Sequence, residues 1–81
     1  MYYTYIIYSD SNNQYYVGYT HNLKLRIERH NLGWSQSTKS GIPWRLVYHE
    51  EYPAKSEAIS REREIKKWKS RKLIEKLIVE S

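Results

Sequence analysis

With 81 residues, 14 Lys plus Arg against 9 acidic residues and no cysteine, the chain reads as one small domain, residues 1–81, whose thin core leaves little room for a large cofactor. The missing cysteines exclude a disulfide framework and a thiolate metal site, and His21, His30 and His49 are too scattered for a compact histidine-based zinc motif. No apolar stretch approaches the roughly 18 residues of a membrane span, and the start, MYYTYIIYSDSNN, lacks the basic-then-apolar pattern of a signal peptide, so the expectation is a cytoplasmic protein working off the membrane.

The elements follow in order. Residues 2–8, YYTYIIY, are β-branched or aromatic throughout and predict a strand; 9–13, SDSNN, are turn formers; 14–19, QYYVGY, predict a second strand, closing a hairpin. Alternation along the strands puts Tyr3, Tyr5 and Ile7 on one face of the first and Tyr16 and Gly18 on one face of the second. Asn22 reads as the N-cap of a helix over about 23–32 with Gly33 as its stop. On this helix Leu23, Ile27 and His30 share one side with Arg26. Residues 34–43 read as a polar loop, and 44–52, WRLVYHEEY, as a third strand pairing beside the first, opposite the second. Ser56 is expected to cap a helix reaching about Lys69, with Ala58 and Ile65 inward. Ser70 is expected to cap a last helix that buries Leu73, Ile74, Leu77 and Ile78. The fold class is α+β: a three-stranded antiparallel sheet flanked by three helices, in the order β-β-α-β-α-α.

The net charge is +5, and residues 61–76, REREIKKWKSRKLIEK, carry an excess of the same size: eight basic residues against Glu62, Glu64 and Glu75. A solvated helix face with pairs such as Glu62–Lys66 would favour balance. The excess points instead to a phosphate-bearing partner, with Arg61, Arg63, Lys66, Lys67, Lys69, Arg71 and Lys72 as the candidate nucleic-acid contacts. Trp68, within this run, is either a stacking surface or core, and core is favoured.

Two charged residues stand where apolar ones are expected. Glu62 lies between Ala58 and Ile65 on the inner stripe. A carboxylate there needs an internal partner, such as Arg26, or a metal or catalytic role, and the sequence leaves these open. Arg26 faces inward from the first helix, and Tyr5 and Tyr16 can present hydroxyls to the same concavity. A phenol, a guanidinium and a carboxylate converging in this way suffice for metal-assisted phosphodiester cleavage. Nine tyrosines without a phenylalanine, seven of them in the first 19 residues, sharpen the question of what the hydroxyls do.

The segment TYIIYSDSNNQYYVGYTHNLKLRIERH resembles the GIY-YIG endonuclease superfamily. Tyr3-Thr4-Tyr5 stands at the GIY position and Tyr16-Val17-Gly18 at the YIG position, followed by Arg26, His30 and Glu62. The whole chain resembles the small stand-alone bacterial members, with Pro43-Trp44-Arg45-Leu46-Val47-Tyr48 matching their PW-LVY strand. The resemblance implies a metal-dependent endonuclease acting on DNA. In it Tyr16 is the general base and Tyr5 assists or positions. Arg26 stabilises the scissile phosphate, His30 is an auxiliary acid/base or hydrogen-bonding group, and Glu62 holds one Mg2+ or Mn2+. The chain departs from the pattern at Tyr3, which replaces the first glycine, and after the metal-binding helix, where Lys72, Leu73 and Ile74 stand in place of an asparagine. No appended DNA-targeting domain is expected, so specificity would fall to the domain itself or to a protein partner. A nucleic-acid-binding module without turnover, and a protein-interaction domain, are the competing function classes.

Overall fold

In a computed structural model describing all residues 1–81, the strands β1 (Tyr2–Ser9), β2 (Gln14–Thr20) and β3 (Trp44–Tyr52) form one antiparallel sheet in the order β2-β1-β3. The helices are α1 (Leu23–Asn31), α2 (Lys55–Trp68) and α3 (Arg71–Glu80). The α+β order β-β-α-β-α-α expected from the sequence is the one observed. No helix is long and apolar enough to cross a membrane.

Both faces of the sheet are covered, which is why β1 reads as a near-continuous apolar run. On one face Tyr5, Ile7 and Trp44 pack with Tyr16, Leu23, Ile27 and Ile42 beneath α1. On the other, Ile6 and Val17 pack with Ile65 of α2 and with Ile74, Leu77 and Ile78 of α3. Ala58 and Ile65 are fully buried, as their stripe predicts, and Thr4 donates a 2.8 Å hydrogen bond to the Ala58 carbonyl, fastening α2 to the central strand.

An irregularity in β3 sets which side chains reach which face. Ile6 pairs with Tyr48 and Ile7 with Leu46, so Val47 is the extra residue of a bulge. Simple alternation would put Trp44, Tyr48, Glu50 and Tyr52 on one side. The bulge leaves Trp44 facing α1 and turns the other three toward α2.

Asn22 caps α1, its Oδ1 accepting from the Leu25 amide at 3.1 Å. Gly33, at φ +81, ends the helix in a Schellman motif, in which the Trp34 amide returns to the Arg29 carbonyl at 3.1 Å and that of Gly33 to His30 at 3.2 Å. Ser70 caps α3 through the Leu73 amide.

Three expectations are corrected. Residues 36–41 are not plain loop but a 3₁₀ helix, Gln36–Gly41, held by the Thr38 amide on the Ser35 carbonyl. Ala54, not Ser56, is the N-cap of α2, and the Glu57 carboxylate reaches back to accept from the Ala54 amide at 3.3 Å. Leu73 is 45% exposed, so only Ile74, Leu77 and Ile78 turn α3 toward the sheet.

Candidate active site

The site lies at the β2 margin of the sheet and is organised by Tyr5. Tyr5 is directly opposite Gly18 in the β1–β2 register, and a Cβ on Gly18 would stand 2.5 Å from the Tyr5 hydroxyl and 2.7 Å from its ring carbon Cζ. The glycine is thus required for volume, because the phenol occupies the place of its side chain. From there the Tyr5 hydroxyl meets α1. It lies 2.8 Å from His30 Nε2 and 3.4 Å from Arg26 Nε. His30 Nδ1 is 2.8 Å from the Thr38 hydroxyl, which in turn donates to the Ser35 carbonyl.

The donors fix the direction of this chain of bonds. Arg26 can only donate, so Tyr5 accepts from it; Thr38 gives its proton to Ser35 and so accepts from His30 Nδ1, which leaves Nε2 of the neutral ring to accept the Tyr5 proton. Burial, reinforced by the Arg26 charge, pulls the His30 pKa down to about 4, which keeps the imidazole neutral as this pattern requires. Burial also pushes the Tyr5 phenol up to about 12 against the opposing influence of Arg26. Tyr5 therefore keeps its proton at neutral pH and donates it to His30. His30, only 1% exposed, is not a solvated helix-face histidine: both ring nitrogens are engaged.

Tyr16 is placed differently. It packs on the same cluster, with its ring 5.2 Å from that of His30 and 6.4 Å from that of Trp44, but its hydroxyl has no hydrogen-bond partner within the protein. From below the sheet edge, Lys66 of α2 brings its ammonium 5.5 Å from the Tyr16 ring centre and 3.4 Å from the Glu62 carboxylate. The internal partner of Glu62 is thus Lys66 and not Arg26. Glu62 is the single carboxylate here, with no cluster of three or more metal-ligating side chains around it. Its side chain is 15% exposed while that of Lys66 is 48% exposed, so the carboxylate is held in place and its counter-cation stands at the open side. One fixed carboxylate already compensated by a displaceable cation fits a hard divalent ion that takes its remaining ligands from water and phosphate.

The site unites Tyr5, Tyr16, Arg26 and His30, with Glu62 at its lower rim. The family model described as the GIY-YIG catalytic domain matches residues 1–75, spanning every one of these positions. The chain belongs to the GIY-YIG family. Among similar proteins, a UPF0213 protein of Staphylococcus haemolyticus is 46% identical over 65 residues, covering 79% of this chain and 78% of that protein. UPF0213 proteins of Staphylococcus aureus are 43% identical over 63 residues, covering 76% of this chain and 77% of theirs. The solution structure of a UPF0213 protein from Bacillus halodurans superposes with a TM-score of 0.59 at 34% identity, covering 98% of this chain and 84% of that one.

Within the GIY-YIG pattern, Tyr3 stands where the family has a glycine, and the backbone there makes no demand for one: Tyr3 lies in regular strand, paired with Thr20 and Glu51. The basic run divides in two. Arg61 grips Glu50 through Nε and Nη2 at 2.9 and 3.1 Å, reaches Glu64 at 2.9 Å and lies over the Trp68 ring. Tyr48 and Tyr52 also donate to Glu50. Burial pushes the Glu50 carboxyl up, but these hydrogen bonds outweigh it and hold its pKa below the ordinary value. Arg71 donates to the Asn13 carbonyl and Oδ1 at 2.6 and 2.7 Å, tying the hairpin turn to α3, and stacks on Tyr15. Both arginines serve the fold. Arg63, Lys67, Lys69 and Lys72 are exposed and have no ion-pair partner. Trp68 packs against the Ile65 cluster, as favoured. Thr38, the far anchor of His30, was not legible in the sequence, since a threonine in a serine-rich stretch carries no signal of its partner.

Proposed function

We propose that this GIY-YIG domain is a divalent-metal-dependent endonuclease that hydrolyses DNA phosphodiester bonds, with Tyr16 as the general base. The observation that carries this reading is the contrast between two neighbouring phenols. The Tyr5 proton is committed to His30, whereas the Tyr16 hydroxyl is free to bond the attacking water, between the Arg26–His30 side of the site and the Glu62–Lys66 pair.

Arg26, with one N–H already on Tyr5, retains the rest of its guanidinium fork for the non-bridging phosphate oxygens. Tyr5 fixes the Arg26 Nε by accepting from it, and His30 fixes Tyr5, so two buried groups orient the one that meets the phosphate. Glu62 would hold the ion, Mg2+ or Mn2+, in place of its pairing with Lys66. The bound ion would neutralise charge gathering on the phosphate oxygens in the transition state. Arg63, Lys67, Lys69 and Lys72 supply the phosphate contacts flanking the site, which predicts salt-dependent binding.

The test is cleavage of supercoiled, branched and single-stranded DNA with Mg2+ or Mn2+ titrated in, for the natural protein and for Glu62→Ala. Metal-dependent nicking lost in Glu62→Ala is expected. No cleavage on any substrate, or cleavage indifferent to Glu62→Ala, would overturn the proposal. Salt-sensitive binding without nicking would leave a binding module in its place.

A further inference from the structure

Trp34 is the one tryptophan in the protein held out in solvent. It is 68% exposed, whereas Trp44 is 6% exposed and Trp68 is half-buried against the Ile65 cluster. An indole of this area is costly to leave in water. It is also not a loose side chain. The Schellman motif at the end of α1 pins the Trp34 amide to the Arg29 carbonyl, and the Arg29 guanidinium lies over the indole at 4.8 Å from its centre. The indole is therefore fixed with a planar cation on one side and open on the other.

Its surroundings carry charge of one sign. Residues 22–43 hold Lys24, Arg26, Arg29 and Lys39 against a single acid, Glu28, and the Lys39 side chain lies alongside Gly33 next to Trp34. Arg29 lies one helical turn beyond Arg26 and adjoins His30, so this surface continues the wall of the site on α1. Arg29 Nε is buried without a hydrogen-bond partner, an unmet donor beside the indole.

We infer that Trp34, backed by Arg29, is a stacking platform for an unpaired nucleobase, so that the protein selects DNA carrying a single-stranded or flipped-out nucleotide next to the scissile bond. A base inside a duplex has both its faces covered by its neighbours and cannot use a protruding indole; an unpaired base has a free face and gains by covering it. Lys39 and Lys24 then meet the phosphates on either side. The inference takes its substrate class from the proposed nuclease function but does not require turnover.

The experiment measures binding, not cleavage, with chelator present. Fluorescein-labelled 15-nucleotide single strands of DNA and of RNA, and the blunt DNA duplex of the same sequence, are titrated with the natural protein, Trp34→Ala and Trp34→Phe, after circular dichroism has established that each variant is folded. Trp34→Ala is expected to weaken single-strand binding by roughly 5- to 150-fold, the range of one lost base stack, and duplex binding by less than about twofold, with Trp34→Phe in between. A larger dependence on Trp34 for the RNA strand than for the DNA strand would overturn the assignment to DNA. Equal losses on duplex and single strand, or no loss on either single strand, would overturn the platform. Because no cleavage is read, a protein that proves inactive on every DNA leaves this result standing, and an active nuclease indifferent to Trp34 refutes the platform alone.

Discussion

Gly18→Ala distinguishes two reasons for a glycine in the second strand. Gly18 has no positive φ, so a methyl there strains no backbone torsion, and on backbone grounds alone alanine should stabilise the domain by about 0.4–1 kcal/mol by restricting the unfolded chain. The structure argues for the opposite sign. The new Cβ would sit 2.5 Å from the Tyr5 hydroxyl, 2.7 Å from Cζ and 3.0 Å from Cε1, and the ring it meets is wholly buried between α1 and the sheet. Overpacking of this kind costs about 1–3 kcal/mol, which in a domain of this size lowers Tm by roughly 5–20 °C. Thermal and urea unfolding of the variant measure it. Tyr5→Phe removes the nearest atom but leaves Cζ and Cε1 in place, so the double variant should show partial relief, a coupling of about 0.5 kcal/mol or more. A Gly18→Ala protein as stable as the natural one, or strict additivity with Tyr5→Phe, would refute the claim that the phenol fills the glycine's place.

The site and the basic surface make further predictions. Tyr16→Phe should leave Tm nearly unchanged, since its hydroxyl bonds nothing in the protein, and should lower single-turnover cleavage by about 10²–10⁴-fold, the usual share of a general base. The folded-state pKa of His30, about 4, lies below its ordinary value of 6.5, so the unfolded chain takes up the proton first and stability falls as pH drops through that window. Denaturant unfolding between pH 7 and pH 4 should show a loss of about 3 kcal/mol that is much smaller in His30→Gln, which lacks the buried imidazole. Arg61→Ala should destabilise by about 2 kcal/mol or more, because Glu50 loses its guanidinium. Arg63→Ala and Lys67→Ala should instead keep Tm and each reduce the salt dependence of DNA binding by about one unit of slope; equal behaviour of all three would contradict the division of the basic run.

Much of this architecture is local and therefore legible in the chain. The hairpin announces itself through β-branched and aromatic runs around SDSNN, and the Asn22 and Ser70 caps act within three residues of themselves. What escaped sequence reasoning depends on partners far along the chain or on a defect in a repeat. The Val47 bulge breaks the alternation with nothing in WRLVYHEEY to mark it. Arg61 and Arg71 belong to a positive run, and only the fold discloses that Glu50 and the Asn13 turn claim them. Leu73 keeps helical spacing with Leu77 yet falls just past the edge of the buried stripe. The tyrosines are the clearest case. Five of the nine hydroxyls, those of Tyr5, Tyr8, Tyr15, Tyr48 and Tyr52, bond another side chain, so phenylalanine would sacrifice a polar contact at each.

Tyr5 lies on β1, which has a strand on either side, and Tyr16 on β2, which has a neighbour on one side only. The two phenols therefore belong to different tiers of local opening. The Tyr5 side chain is wholly buried beneath α1 and is freed only when the sheet and that helix separate, while β2 can fray from the margin inward at far lower free energy. The phenol that bonds His30 is anchored on the central strand, and the phenol with no partner in the protein rides on a strand that can give without the fold giving with it.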